Sequence, residues 1–332
     1  MAIMKRFFTR MMCVMLAVMC FAVPSQASQE DELSNEELME LLAETIPEGQ
    51  DGELDEYLVL PEGYVAPQTD TFQLLLIGTD TYSTKSRGRS DTMMLAQLDP
   101  KAKTIKLVSF LRDMYVKIPG KGSNRINAAY AFGGPELLLQ TLKANFGIEP
   151  DAYVSVNFSR MAALIDVIGG VEIDVSKNEL TQLNGILQYY NGQMGKKQND
   201  GLVKKAGLQT LTGKQALSFS RIRKIDSDFA RTDRQRTVVE AAFHKVTQLG
   251  WDEIGKLVLD NLDNVVTNIT AADAIRLIPT ALTAKEATFE TMQIPVQGAY
   301  ASKMISGMAV LVPNLTKNLD ALNEFLYGEQ GD

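Results

Sequence analysis

The sequence predicts an α/β fold, a three-layer α-β-α sandwich around a mixed central sheet. Three observations predict it. First, short apolar runs with strand character stop at small polar clusters: Phe72–Ile77 ends at Gly78-Thr79-Asp80. Second, the runs 92–98 and 104–110 are separated only by a turn at Asp99-Pro100-Lys101, which reads as an antiparallel hairpin. Third, helical stretches alternate with later strands, so crossovers accompany the hairpin, and a sheet fed by both is mixed and covered by helices.

The elements follow in order. Phe72–Ile77 (FQLLLI) is apolar throughout, as a central strand buried on both faces is. A polar loop over 81–90 leads to the hairpin. Gly133-Gly134-Pro135 opens a helix with proline near its first position, and Gly147 ends it. Residues 153–157 form a short strand. A helix over 159–168 stops at Gly169-Gly170, and 171–175 alternates as a strand does. Residues 176–206 are polar, rich in Gly, Asn, Gln and Lys, and without a clear period; they read as a mobile insertion. A short helix is expected over 210–217. From Asp228 to Leu249, Val239, Ala242, Phe243, Val246 and Leu249 keep helical spacing up to Gly250. Beyond it come helices near 251–262 and 271–283, strands near 291–295 and 308–312, and a last helix over 315–327. No internal repeat is present.

Four segments result: a signal peptide or N-terminal anchor (1–27), an acidic linker (28–70), a main domain (71–250), and a C-terminal extension packed on the same domain (251–332). Lys5, Arg6 and Arg10 precede an uncharged apolar run of 13 residues, Met11–Val23, and Ser25-Gln26-Ala27 resembles a cleavage site. The run is short for a membrane span, which needs roughly 20 residues, so a cleaved export signal is the first reading and a retained anchor the second. Both cysteines, Cys13 and Cys20, fall inside it, which removes disulfides, thiolate metal sites and cysteine nucleophiles from the rest. The net charge of −8 is unevenly placed: residues 28–56 hold 12 acids and no base, and the remaining body is close to neutral. Nothing in that balance points to nucleic acid.

The most chemically loaded stretch is Phe219–Arg236, FSRIRKIDSDFARTDRQR, with six basic residues and three acids. On an extended segment Arg221 and Arg223 point to one side; on a helix Arg231 and Gln235 share a face. Arginine pairs converging from a strand end and a helix start suit a doubly charged anion, because guanidinium forks match phosphate oxygens bidentately. Three polar clusters at strand ends join them: Gly78-Thr79-Asp80, Gly88-Arg89-Ser90-Asp91 and Arg112-Asp113. Several arginines with several aspartates suit a phosphorylated substrate and a hard cation. Taken singly, each aspartate is also an ordinary turn or cap residue and each arginine an ordinary surface ion-pair partner. The only histidine, His244, lies on the polar stripe Glu240, His244, Gln248 of a helix. A Ser-His-Asp triad and a His-rich zinc site are therefore excluded, and no Gly-rich phosphate loop with its lysine occurs.

GTD (78–80), GRSD (88–91), SFLRD (109–113), NAAYAFGG (127–134), VIGGVEIDV (167–175), GLQTLTGKQALSFSRIR (207–223) and DFARTDRQR (228–236) together resemble the LytR–CpsA–Psr family, in order, over Phe72–Gly250. The resemblance implies that family's α/β sandwich with a deep apolar pocket for a polyprenyl tail. It also implies an extracytoplasmic phosphotransferase, mostly of Gram-positive bacteria. Such an enzyme moves a glycopolymer, teichoic acid or capsule, from a polyprenyl-pyrophosphate carrier at the membrane surface to peptidoglycan as a phosphodiester. By motif, Asp80 and Asp91 match acids that hold Mg²⁺. Arg89, Arg112, Arg221, Arg223, Arg231 and Gln235 match pyrophosphate-binding residues, and Asp228 matches an acid near the reacting centre. The catalytic set is then Asp91, Arg112, Asp228 and Arg231, with Asp228 or Asp91 taking the proton. Leu111 stands where many relatives have proline. A non-catalytic binder of polyprenyl-pyrophosphate lipids and a pyrophosphatase of such lipids are the alternatives.

Overall fold

The computed structural model describes residues 71–80, 88–223, 228–249, 265–270 and 276–328, together with Leu58, Leu60, Tyr64, Pro67 and Asp273. The apolar run 11–23, the acidic segment 28–56 and the helix expected near 251–262 lie outside the described residues. In chain order the elements are β1 (Phe72–Thr79), β2 (Ser90–Asp99), β3 (Thr104–Phe110), β4 (Tyr115–Ile118), β5 (Gly122–Arg125), α1 (Ile126–Phe146), β6 (Ala152–Asn157), α2 (Phe158–Val167), β7 (Val171–Val175) and α3 (Lys177–Gln193). They continue as β8 (Gly207–Leu211), α4 (Gly213–Ser220), α5 (Asp228–Thr247), β9 (Val266–Thr267), α6 (Ile278–Thr283), β10 (Thr288–Ile294), β11 (Tyr300–Ile305), β12 (Met308–Pro313) and α7 (Leu315–Tyr327). The result is a mixed sheet flanked by helices, an α/β fold.

The chain divides into two compact units. One holds β1 as far as Ile77, β2 to β5, α1, the start of β6, and β10 to α7. Its strands run β10-β3-β2-β1. The expected hairpin is present: β2 and β3 pair antiparallel from Met94↔Ser109 to Asp99↔Thr104. On the far side of β3, β10 pairs parallel from Thr288↔Thr104 to Ile294↔Phe110, which makes the sheet mixed. Alternation along each strand sends Leu75, Ile77, Met93, Leu95, Val108 and Phe110 to one face. There they form one core with Leu138, Leu142 and Phe146 of α1 and Leu315, Leu319, Leu322 and Leu326 of α7. The opposite-parity residues Leu74, Leu76, Met94, Ala96 and Leu107 are buried too, so this sheet is covered on both faces.

Helix α1 starts earlier than Gly133-Gly134-Pro135 suggests. Helical geometry runs from Ile126, breaks at Gly134 (φ 71°, ψ −161°), and restarts at Pro135. The break needs a left-handed φ, which glycine adopts without a Cβ clash. Gly147 ends the helix in the left-handed region, its N–H donating to the Lys143 carbonyl. The β4–β5 hairpin and β11 were not expected. The first turns at Pro119-Gly120, a signal visible in the sequence.

The second unit holds the rest of β6 and the chain through α6. Here β6 pairs antiparallel with β9 (Val154↔Thr267, Ser155↔Val266), and β7 with β8 (Val171↔Leu211 to Val175↔Gly207). Two expectations are corrected. The stretch 176–206 is not a formless insertion: it contains α3, a 17-residue helix whose Leu183, Leu187 and Asn191 are buried at four-residue spacing. Ser176 and Glu179 cap it reciprocally. The helix expected over 210–217 is shifted, because Thr210 and Leu211 complete β8 and helical structure begins at Gly213. Gly213 is required by a close approach: a Cβ there would lie 2.0 Å from the Ala162 carbonyl oxygen of α2.

Candidate anion-binding site

In the first unit, β2 and the turn after β3 bring two expected residues together. Asp91 is the second residue of β2 and Arg112 follows β3; being hairpin partners, the two strands carry them to the same end. Arg112 Nη1 donates to Asp91 Oδ1 at 2.8 Å, and the Asp91 side chain is 1 % exposed. Arg112 Nε also lies 3.5 Å from Asp113 Oδ2, and Asp113 Oδ1 lies 3.4 Å from Arg125 Nε. The result is an alternating row of acid and base, with Asp91 at its buried end. Arg89 is half-buried and joins Gly88, at φ 64°, to the first residue of β2. Leu111, where many relatives have proline, donates its N–H to the Ile294 carbonyl at 2.8 Å, a bond proline cannot make.

In the second unit, Asp80 directly follows β1 and is half-buried. Arg221 does not sit on an extended segment, which corrects the sequence reading. It is the C-cap residue of α4, with helical angles (φ −93°, ψ −5°). Its guanidinium lies over the Tyr190 ring of α3, 4.2 Å from the centroid, a stack that orients the plane of the fork. Ile222 is fully buried and Arg223 half-buried. Arg231 and Gln235 share a buried face of α5, as their spacing requires: Arg231 is 1 % exposed and Gln235 2 %. A guanidinium so deeply buried requires compensating acceptors. Gln235 Nε2 has no hydrogen-bond partner among the described residues, so a buried amide donor stands ready for an acceptor oxygen. Asp228 is the first residue of α5.

Sequence reasoning missed Glu179 and Tyr190, and it counted Arg234 among the basic residues of 219–236 without assigning it a partner. Arg234 Nε donates to Glu179 Oε1 at 2.8 Å, and its Nη1 donates to the Ile222 carbonyl at 3.1 Å. Burial alone would raise the Glu179 pKa. Hydrogen bonds from Arg234 and Ser176, with the Arg234 charge, outweigh that and hold it below the usual glutamate value. The one signal available was Ser176-Lys-Asn-Glu179, a capping-box pattern. His244 is exposed on α5, as its place on the polar stripe implies.

Among the described residues no three His, Cys, Asp or Glu side chains gather as a metal cluster. A dedicated protein cage is not what Mg²⁺ needs, since one or two carboxylates suffice when substrate phosphates and water supply the remaining oxygens. The buried carboxylate of Asp91 is the hard donor type that this requires.

An α/β chain with buried arginines and aspartates at strand and helix ends fits the proteins that bind phosphorylated ligands. The sequence model of the LytR_cpsA_psr family matches residues 41–324, and the chain belongs to that family. It is 33 % identical over 239 residues to the polyisoprenyl-teichoic acid–peptidoglycan teichoic acid transferase TagU of Oceanobacillus iheyensis, covering 70 % of this chain and 69 % of that protein. It is 32 % identical over 218 residues to TagT of Bacillus subtilis, a transferase of the same description, covering 64 % of this chain and 65 % of that one. Among solved structures, TagT bound to LIIa-WTA superposes with a TM-score of 0.61 at 26 % identity, covering 81 % of this chain and 97 % of that one. TagV of B. subtilis superposes at 0.57 and 28 % identity, covering 78 % and 98 %.

Proposed function

We propose that the protein is an extracytoplasmic transferase that moves a glycopolymer from a polyprenyl-pyrophosphate carrier to peptidoglycan. One observation carries the reading: family membership across residues 41–324 of the chain. The names of the relatives, teichoic acid transferases, support teichoic acid as the glycopolymer class, with capsule the other class that the resemblance allows. The buried Asp91–Arg112 pair and the buried face of Arg231 and Gln235 support anion binding of the required kind.

In this reading Arg89, Arg112, Arg221, Arg223, Arg231 and Gln235 bind the pyrophosphate, and Asp80 and Asp91 hold Mg²⁺. Bound there, the ion would supply neutralisation of phosphate charge. The oxygen of a peptidoglycan hydroxyl attacks the sugar-side phosphorus. The P–O bond to the distal phosphate breaks, polyprenyl monophosphate leaves, and the hydroxyl proton passes to a carboxylate, Asp228 or Asp91. The chain's part is positioning and charge neutralisation, as is general for phosphoryl transfer. Residues 1–27 direct the chain across the membrane, as a cleaved signal or as a retained anchor.

The test supplies the full chain, in detergent, with a polyprenyl-pyrophosphate saccharide, Mg²⁺ and a peptidoglycan oligomer. A phosphodiester-linked conjugate that disappears with EDTA is the expected product. Bound but unchanged lipid would replace the reading with a lipid binder, and free saccharide phosphate alone would replace it with a pyrophosphatase.

A further inference from the structure

We infer that Arg234, locked to Glu179, is a positioning residue that sets the turn Arg221-Ile222-Arg223 for anion binding. The inference rests on the reading of Arg221 and Arg223 as ligand-binding groups. It comes from a contact that no motif reading singles out: a single guanidinium, 8 % exposed, joins three separate segments. From α5 it reaches the first turn of α3 through Glu179, at 2.8 Å, and the carbonyl of Ile222, at 3.1 Å.

The carbonyl it holds belongs to the peptide that joins Ile222 to Arg223. Fixing that oxygen fixes the plane of the peptide, and so the direction in which the Arg223 backbone and its side chain depart. The Ile222 side chain, 0 % exposed, anchors the same residue from its other end. On the other side of Ile222, Arg221 is oriented by the Tyr190 ring of α3. Helix α3 therefore supports both arginines, one through an aromatic face and one through the Glu179–Arg234 bridge. Glu179 is held in turn by the Ser176 N–H at 3.0 Å and the Ser176 hydroxyl at 2.7 Å. Every link is a directional hydrogen bond or a stack, so the turn has little freedom to reorient when a ligand arrives.

The arrangement needs arginine. Its planar fork donates from Nε and Nη1 in two fixed directions at once, whereas a lysine ammonium is a point charge on a flexible stem. Arg234→Lys keeps the positive charge beside Glu179 and loses the simultaneous hold on Ile222.

The experiment is calorimetric titration of the full chain with inorganic pyrophosphate, with the melting temperature of each variant measured alongside. Wild type binds, and Arg223→Ala abolishes binding. Arg234→Lys weakens binding ~10-fold or more at a temperature where it is fully folded, since small misplacements of binding groups cost factors of this order or larger. Glu179→Gln weakens it less and in the same direction, and carries the test should Arg234→Lys not fold. Pyrophosphate affinity unchanged in both variants, with only the melting temperature lowered, would overturn the inference and leave the bridge purely structural. Failure of wild type to bind, or wild-type binding by Arg223→Ala, would instead overturn the underlying reading of the turn, and the inference with it.

Discussion

Asp91 and Arg112 show at the level of single residues what a buried ion pair asks of its partners. With the Asp91 side chain 1 % exposed and Arg112 12 %, neither charge is well solvated. Removing one member of such a pair typically costs about 3–5 kcal/mol, because the survivor is left uncompensated. Asp91→Ala is expected to lose stability on that scale and to lose activity besides. Asp91→Asn retains an acceptor oxygen for Arg112, so it is expected to keep most of the stability and none of the activity. Chemical denaturation beside a turnover assay separates the two effects; full activity in a folded Asp91→Asn protein would remove Asp91 from the catalytic set. Glu179 makes a prediction about pH. Folding lowers its pKa, so its contribution is fully present above the ordinary glutamate value and is lost as pH falls through the lower folded value. Stability should decline over that acid window, and Glu179→Gln should decline less steeply than wild type.

At the level of elements, two contacts between neighbours can be tested. Gly213 lets α4 approach α2 so closely that a Cβ would meet a backbone oxygen, which cannot swing aside as a side chain can. Gly213→Ala is expected to cost about 1–3 kcal/mol by overpacking, visible as a lower melting temperature; an unchanged value would mean that the helices separate freely. Lys106 of β3 reaches the end of α7, donating to the Phe325 carbonyl at 2.7 Å. A cation there caps carbonyls that lack helical partners and complements the helix dipole. Lys106→Met is therefore expected to cost about 1 kcal/mol and to raise amide exchange in the last turn of α7.

What was legible in the sequence at this level follows from the range of the forces involved. The limits of β3, β7 and α7 were read to the residue, because period, turn residues and glycine stops act locally. Helix α3 was lost because its surface is polar and its apolar positions are sparse, though Ser176, Glu179, Leu183 and Leu187 carried the pattern. The alternation in Arg-Ile-Arg suggests strand geometry for Arg221, whereas α4 continues to Ser220 and Arg221 caps it. The Glu179–Arg234 bridge spans 55 positions, and no local rule joins residues that far apart.

For the whole molecule, the identities of the candidate residues were legible as motifs, and the family match extends that legibility to residues 41–324. Their partners were not, since hydrogen bonds and burial arise only when the chain is folded. The parallel pairing of β10 with β3 joins Thr288 to Thr104, more than 180 positions away; it is part of the fold that the motif-bearing stretch 72–250 does not contain. The central claim, that the protein transfers a glycopolymer through its arginine and aspartate groups, is tested most directly by comparing wild type with Arg112→Ala and Arg223→Ala. Conjugation of a polyprenyl-pyrophosphate saccharide to peptidoglycan would be followed at a temperature where all three are folded. The account predicts a phosphodiester-linked conjugate from wild type and a loss of at least ~100-fold in each variant, since several charge-stabilising contacts act on one transition state. Conjugate formed at wild-type rates by either folded variant would contradict it.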